Sequence, residues 1–450
     1  MRPPGAYTNY YLKLKETSMA PYLHIALPLL GTMVFLSAGC TTRTVAQSTQ
    51  RVVTVAQSGS ADIVGSNSES LQKAANLLHP GDVLSIGAGT YTMEDSLFVP
   101  SGVTVRGVAG KTILRKARSV QSPLTEDADY GDTFLSVAEP DKFHPGMGVA
   151  IVDDSFKSGW DISISSIASV KPPYVIVKSM TVRDYDRQRH HARMINTSPI
   201  LCAINAANVV LEDLIVDGNR VENDYIDGCR GGAIYMYRVR NVTVRRCTAR
   251  NYNGDGISFQ ISDGVRVIDS ESYGHAGYGI HPGTGSVSSL VKNCHMHDNG
   301  EIGLFLCWRV RHGRFEDNVI ENNGHYGISI GHKDTDNEFI GNTVSHNGLT
   351  GVYFRKETSE NSGSRNIFRS NKVLNNGNTR EGYGFYIEPY ATDLIIEGNQ
   401  IADTRADNRT QRYGIYKAPG AGSVKVGNNS MSGHSAGDFH DSSLQADARQ

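Results

Sequence analysis

One repeat constrains this chain more than any other feature. A Gly followed by an apolar-x-apolar triplet returns at Gly256-Ile-Ser-Phe, Gly279-Ile-His-Pro, Gly303-Leu-Phe-Leu, Gly327-Ile-Ser-Ile, Gly351-Val-Tyr-Phe, Gly384-Phe-Tyr-Ile and Gly414-Ile-Tyr. Ala233-Ile-Tyr-Met is an earlier copy, and the steps run 23, 23, 24, 24, 24, 33 and 30 residues. A second apolar pair follows most copies, among them Val242-Thr-Val244, Val265-Arg-Val267, Phe339-Ile340, Ile367-Phe368, Leu394-Ile-Ile396 and Val424-Lys-Val426. A turn position then holds Cys247, Ser270, Cys294, Asn318, Asn342, Asn371, Asn399 and Asn428, and Asn-Gly closes coils at Asn253, Asn299, Asn323, Asn347 and Asn376. Of 29 Asn, 25 lie after residue 200, so Asn belongs to the repeat rather than to the chain at large.

Strands this short, with side chains alternating between faces, cannot bury one face alone, whereas stacked coils can. Asn tolerates the left-handed backbone that such turns need, and it can bond to its copy one coil away. The expectation is an all-β fold: a single-stranded, right-handed parallel β-helix. A leucine-rich repeat is excluded because no Leu frame is present. The capping box Ser66-Asn-Ser-Glu69 predicts a short amino-terminal capping helix through about Leu77. From about Thr125 to Arg183 the repeat breaks, and runs such as Phe134-Leu-Ser-Val and Tyr174-Val-Ile-Val predict a small β insertion. The basic run that follows, from Arg183 to Arg193, reads either as a solvated loop or as an arm that meets an anionic substrate.

The amino terminus reads as an export signal. Lys13 and Lys15 precede an apolar run, Leu23 to Leu36, which is shorter than the ~20 residues that span a bilayer. It ends in Leu36-Ser37-Ala38-Gly39-Cys40, which resembles the bacterial lipobox. That resemblance implies lipidation at Cys40 and a lipoprotein of the outer membrane or periplasm; otherwise the chain is secreted. The expected plan is a signal over 1–40, a flexible tether over 41–60, the β-helix over 61–432 with its insertion at about 125–183, and a disordered tail over 433–450.

Lys+Arg number 44 against Asp+Glu 46, a net charge of −2, which argues against nucleic acid as a partner. The membrane is expected to be met only through the lipid anchor. Six Cys with no C-x-x-C pair exclude a disulfide scaffold and argue against a zinc site. Calcium has one candidate, the acidic loop Asp217-Gly-Asn219 with Glu222, Asp224 and Asp227, which reads equally as a polar turn.

Coils stack about 4.8 Å apart, so residues one repeat apart are neighbours. Two residues past each repeat Gly, one outward column holds Tyr235, Ser258, His281, Phe305, Ser329, Tyr353, Tyr386 and Tyr416. The position before the Gly holds Asp255, Tyr278, Tyr326, Tyr383 and Tyr413. Beyond each strand lie Trp308-Arg309, His332-Lys333 and Arg355. A face of aromatics, His and cations suits an acidic polysaccharide, because rings stack on sugars and cations meet carboxylates. Rows of Tyr also serve simply as good strand formers.

The favoured reaction on such a face is β-elimination at a uronate by a polysaccharide lyase. It needs a cation on the carboxylate, a base for the C5 proton and an acid for the leaving oxygen. Arg309 is the expected cation, Lys333 or His281 the base, and Tyr278 the acid. Arg355, Trp308, His332, His325, Tyr353 and Tyr235 would line subsites. The alternatives are a glycoside hydrolase built on Asp255, a uronate epimerase, and a non-catalytic glycan-binding surface protein.

Two resemblances follow. The front of the chain, Pro80-Gly-Asp-Val through Gly89-Thr-Tyr91, is similar to the amino-terminal cap of pectate-lyase-like proteins, which implies the same helix-plugged β-helix. Tyr278-Gly-Ile-His-Pro282, with His-Asp-Asn-Gly300 downstream, resembles the mannuronan 5-epimerase segment Y-G-F-D-P-H and its H-G-N-G. It implies a catalytic role for Tyr278; the family's catalytic Asp is His281 here and its catalytic His is Gly283. Gly254-Asp-Gly256 followed by Gly274-His-Ala-Gly-Tyr-Gly279 resembles the polygalacturonases, which implies a role for Asp255 and for the displaced His275.

Overall fold

A computed structural model describes residues 50–155 and 158–443. The signal segment, Cys40 and the last seven residues lie outside these. Each coil contributes a strand to three long parallel sheets. A first sheet of thirteen strands runs from Ile63–Val64 to Val424–Gly427, a second of eleven from Gly89–Met93 to Ser430–Ser432, and a third of eleven from Leu97–Phe98 to Gly437–Asp441. The repeat Gly opens the third-sheet strand, and the apolar pair that follows it in sequence is the first-sheet strand. The register is one coil per step: Val244, Val267, Val291, Phe315, Phe339, Phe368 and Ile396 stand in line. All seven are buried, and within them Phe315, Phe339 and Phe368 stack at 4.8 and 4.4 Å.

Asparagine fixes this register. At the turn between the first and second sheets, the buried Asn318, Asn342, Asn371 and Asn399 form a ladder that ends on the half-buried Asn429, and from Asn342 on each side-chain oxygen accepts from the backbone and the amide of the rung before. The residue ahead of each rung takes the left-handed conformation, as at Asp317 (φ 54°), Ser370 (φ 56°) and Asn428 (φ 53°). Asn428, expected in the ladder, is therefore the turn former, and Asn429 is the rung. A second ladder joins Asn299, Asn323, Asn347 and Asn376 and ends on Gln411. His275 occupies the same place above Asn299, with its backbone N–H bonded to Asn299 Oδ1 and its Nδ1 accepting from Tyr252 N–H. Burial pulls its imidazole down to about 3, so the ring stays neutral. His275 thus continues the ladder, away from the site that its resemblance implied.

Four sequence expectations shift. The capping helix spans Ser68–Ala75, with Asn67 as N-cap bonded to Ser70, one residue later than Ser66…Glu69 implied. The tether is shorter than 41–60, because Val52–Ala56 already pairs within the first sheet. The insertion is longer than 125–183: an antiparallel six-stranded sheet that starts at Gln121–Pro123 and closes with Arg193–Ile195, with its own core around Val149, Val175 and Met194. The tail carries a strand, Gly437–Asp441, paired with Tyr413–Lys417.

Asn342 is 1% exposed, and its loss removes the acceptor of the Asn318 backbone and side-chain N–H groups and one donor to the Phe315 carbonyl. Asn342→Ala is expected to cost roughly 2–4 kcal/mol, since each stranded buried group costs about 1–3. Asn428→Gly should stay within about 0.5 kcal/mol, because Gly enters the left-handed region freely. Urea unfolding of both variants checks the contrast.

Candidate functional site

The outward column of the third sheet forms as the register requires. Tyr235, Ser258 and His281 are aligned strand to strand, and so are Phe305, Ser329, Tyr353, Tyr386, Tyr416 and His440. Its carboxy-terminal half is a field of rings: Tyr326 lies 4.5 Å from Tyr353, Tyr353 5.6 Å from Tyr386, and Tyr386 5.5 Å from Tyr416. Its other half is covered. Tyr235, expected to be an open subsite, is 5% exposed and donates its hydroxyl to the Cys229 carbonyl, so it props a loop instead.

That loop, residues 223–231, closes over an acid–imidazole pair. Asp255 Oδ2 lies 2.7 Å from His281 Nδ1, and Asp255 Oδ1 accepts from the Tyr278 backbone N–H at 3.0 Å. The two residues are 0% and 1% exposed. Gly228 is required here: a Cβ on it would stand 1.7 Å from Asp255 Oδ2 and 2.5 Å from His281 Nδ1. The insertion braces the loop from outside. Arg230 donates to the Trp160 carbonyl and lies 5.0 Å from the Trp160 ring, and a Cβ on Gly159 would strike Asp227.

Two cysteines complete the pair. Cys307 follows the strand Ile302–Phe305 and bridges to Gly283 one coil before, which brings its thiol under the electrostatic influence of His281, Cys229 and Arg355. Burial acts to lower the His281 imidazole, but the bonds to Asp255 and Cys307 reverse it and raise it to about 10. Burial pushes the Asp255 carboxyl up, against the pull of that imidazolium. The bond from Cys229 holds the Cys307 thiol well below its ordinary value, against burial, and His281 and the charge of Arg355 add to this. Interaction with Cys307, together with burial, raises the Cys229 thiol.

Tyr278 and Arg355 both pack on Phe305. The Tyr278 ring meets His281 edge-on at 5.5 Å and Phe305 at 4.2 Å. Burial, with Glu301 and Asp255 nearby, raises its phenol well above the ordinary value, so it holds its proton. Burial also raises the Glu301 carboxyl, and the charges of His325 and Asp255 act on it as well. The Arg355 guanidinium lies 4.7 Å over the Phe305 ring and donates to Ser329 Oγ, the Leu306 carbonyl and Asp334 Oδ2. Burial lifts Asp334 to about 6, against the pull of Arg355.

The structure thus brings together four of the residues chosen from sequence: Asp255, Tyr278, His281 and Arg355. The others stand apart. Trp308, 47% exposed, stacks on His332 at 4.7 Å, and His332 pairs with Glu357 at 3.2 Å. His325 is exposed beside Tyr326. Lys333 lines a separate open cavity of about 450 Å³ with Arg311, His312 and Arg365. Among the described residues, no hydrogen bond or ion pair joins the Lys333 or Arg309 side chains to Asp255, His281 or Tyr278. The acidic loop disperses its carboxylates: Asp217 to Arg250, Glu222 to Asn219, and Asp224 to Ser119. The basic run is spent inside the insertion, Arg183 on Asp153 and His191 and Arg193 on Asp154. Cys229, Cys307 and Glu301 were missed. The available signal was register, since Cys307 lies four residues past Gly303, next to the aromatic column.

A family model described as "Right handed beta helix region" matches residues 216–362 and 311–448. No curated protein matches the chain significantly. Among solved structures, it is similar to the A-modules of two Azotobacter vinelandii mannuronan C-5 epimerases, AlgE6 and AlgE4. The TM-scores are 0.54 and 0.55 at 14% and 15% identity, covering 83% of this chain and 92% and 94% of theirs. A polygalacturonase from Erwinia carotovora ssp. carotovora follows at TM-score 0.42 and 13% identity, over 89% of this chain and 98% of that one. At such identities the likeness is one of fold, and with the family model covering more than half its length the chain belongs to the right-handed β-helix family.

Proposed function

We propose that this protein is a carbohydrate-active enzyme that removes the C5 proton of a uronic-acid unit in an acidic polysaccharide and completes a β-elimination. The observation that carries the reading is the buried pair Asp255–His281, whose charge acts on the Cys307 thiol, near the Tyr278 phenol and the Arg355 guanidinium at the end of a run of aromatic rings. The buried Asp255–His281 pair holds Cys307 as thiolate, as paired imidazolium does for reactive thiols generally. The thiolate takes the C5 proton. Arg355 neutralises the carboxylate, onto which the charge spreads. The electron pair then forms the C4–C5 double bond and expels the glycosidic oxygen at C4, which takes the Tyr278 proton.

In this scheme the base and cation roles first given to Lys333 and Arg309 pass to Cys307 and Arg355. His281, already protonated, is a positioning residue. The hydrolase reading needs a carboxylate facing the groove, whereas Asp255 is fully buried and doubly bonded. An epimerase would share the first step, and the names of the two Azotobacter vinelandii neighbours are those of C-5 epimerases. The enzyme acts outside the cytoplasm, tethered through lipid on Cys40.

Incubation with alginate, pectate, glucuronan or a glycosaminoglycan should give the ultraviolet absorbance of an unsaturated uronate. Cys307→Ser should lower kcat by about 10²–10⁴, the usual contribution of a general base, and Tyr278→Phe should do the same. New reducing ends without that absorbance, or full activity in Cys307→Ser, would overturn the reading.

The pair also predicts a pH dependence of stability. Because the folded His281 value lies above the unfolded one of about 6.5, its contribution is full below that pH. It is lost as pH rises toward the folded value of about 10. The Cys307 thiolate has the opposite slope, so the measurement belongs in the Cys307→Ser protein. There, with Asp255 still raising the imidazole, Tm should fall above pH 6.5 more steeply than in Cys307→Ser/His281→Gln, and equal slopes would refute the raised imidazole.

A further inference from the structure

The second sheet carries a cluster on its outer face that takes no part in the proposed reaction. Glu271, on strand Glu271–Tyr273, aligns with His295, and Tyr273 aligns with His297, on strand His295–His297. Residues two apart on a strand share a face, so both imidazoles point outward together. They stack at 4.0 Å, and the other face of His297 rests on the Tyr273 ring at 4.8 Å. One ligand atom each from Glu271, His295 and His297 lie within 4.8 Å of one another.

Three carboxylates surround the two rings. His297 Nδ1 is 2.6 Å from Asp298 Oδ2, and its Nε2 is 3.2 Å from Glu271 Oε1. His295 Nε2 is 3.0 Å from Glu321 Oε1. In the tautomer whose Nδ1 proton goes to Asp298, the His297 Nε2 lone pair is directed at Glu271, so a cation placed between them would be held by both. The Asp298–His297 bond is the orienting contact that metal-ligating histidines usually make.

We propose that Glu271, His295 and His297 form a binding site for a divalent transition-metal ion of the Zn²⁺ class. Two imidazoles and a carboxylate suit zinc, whose bonds of about 2.0–2.2 Å set tetrahedral ligand atoms about 3.3 Å apart, close to the 3.2 Å between Glu271 and His297. The fourth position is open to water or to Glu321. The cysteine spacing in the sequence gives no hint of this site, because no cysteine takes part.

The test titrates ZnCl₂ into the metal-free full chain against a chromophoric chelator of micromolar affinity. One zinc per chain is expected. His295→Gln/His297→Gln should abolish competition, and Asp298→Asn should weaken it about 10- to 100-fold. Cys307→Ser should keep the stoichiometry, which separates this site from capture by the groove thiols. Co²⁺ loading of the wild type reads the ligand field without any variant and should give the visible bands of a tetrahedral nitrogen/oxygen site. Absence of competition by the wild type, unchanged stoichiometry in the double variant, or a thiolate-type cobalt spectrum would each overturn the proposal.

Discussion

The register between successive coils is the constraint on which everything else depends. Parallel strands alternate their side chains, so a slip of one residue would turn the phenylalanine stack outward and bury the groove. Hydrophobic burial alone resists such a slip weakly where neighbouring residues are similar. The Asn ladders resist it strongly, because each rung accepts from the coil before and donates to the coil after, and a displaced rung strands several buried groups at once. The left-handed residue ahead of each rung sets the turn that presents it.

The candidate site sits where this regularity changes. From Asn318 onward the first ladder is unbroken, but the preceding coils carry Cys294, Ser270 and Cys247 in its column. The second ladder gives way to His275 in the same region. Those coils also receive the long loop of residues 223–231 and the insertion. Polar groups that a plain β-helix would spend on its ladder are here spent on the pair Asp255–His281 and on the loop that covers it. Tyr235, in an outward column, becomes internal because the loop closes over it.

Much of the fold was legible because a repeat carries its register in its spacing. The outward column from Tyr235 to Tyr416 stands as the arithmetic placed it, and the role of Asn followed from its position and its taste for left-handed turns. Asp255, Tyr278 and His281 could be named because they fall in those columns. Cys307, Cys229 and Glu301 could not, for a physical reason. Their chemistry arises from contacts across a loop of irregular length, and cysteine spacing speaks only to local metal or disulfide pairing. Arg309 and Lys333 were over-read because equivalent sequence positions beyond a strand end need not share a face. There the backbone passes through left-handed residues, with φ 68° at Arg309 and 56° at Lys333, and the alternation lapses.

The burial of Asp255 and His281 decides how such a site works. A substrate cannot touch groups that are 0% and 1% exposed, so their influence must reach the groove through a third atom. In the proposed reaction that atom is the Cys307 sulfur, which feels the charges of His281 and Arg355. Burial serves the arrangement: in a low-dielectric setting, an imidazolium held by a carboxylate favours an adjacent thiolate far more than it would in water. In the proposed reaction the cover loop takes part as well, since any opening that hydrates the pair weakens its hold on a thiolate. The insertion that braces the loop through Gly159, Trp160 and Arg230 would then act on the sulfur without touching it.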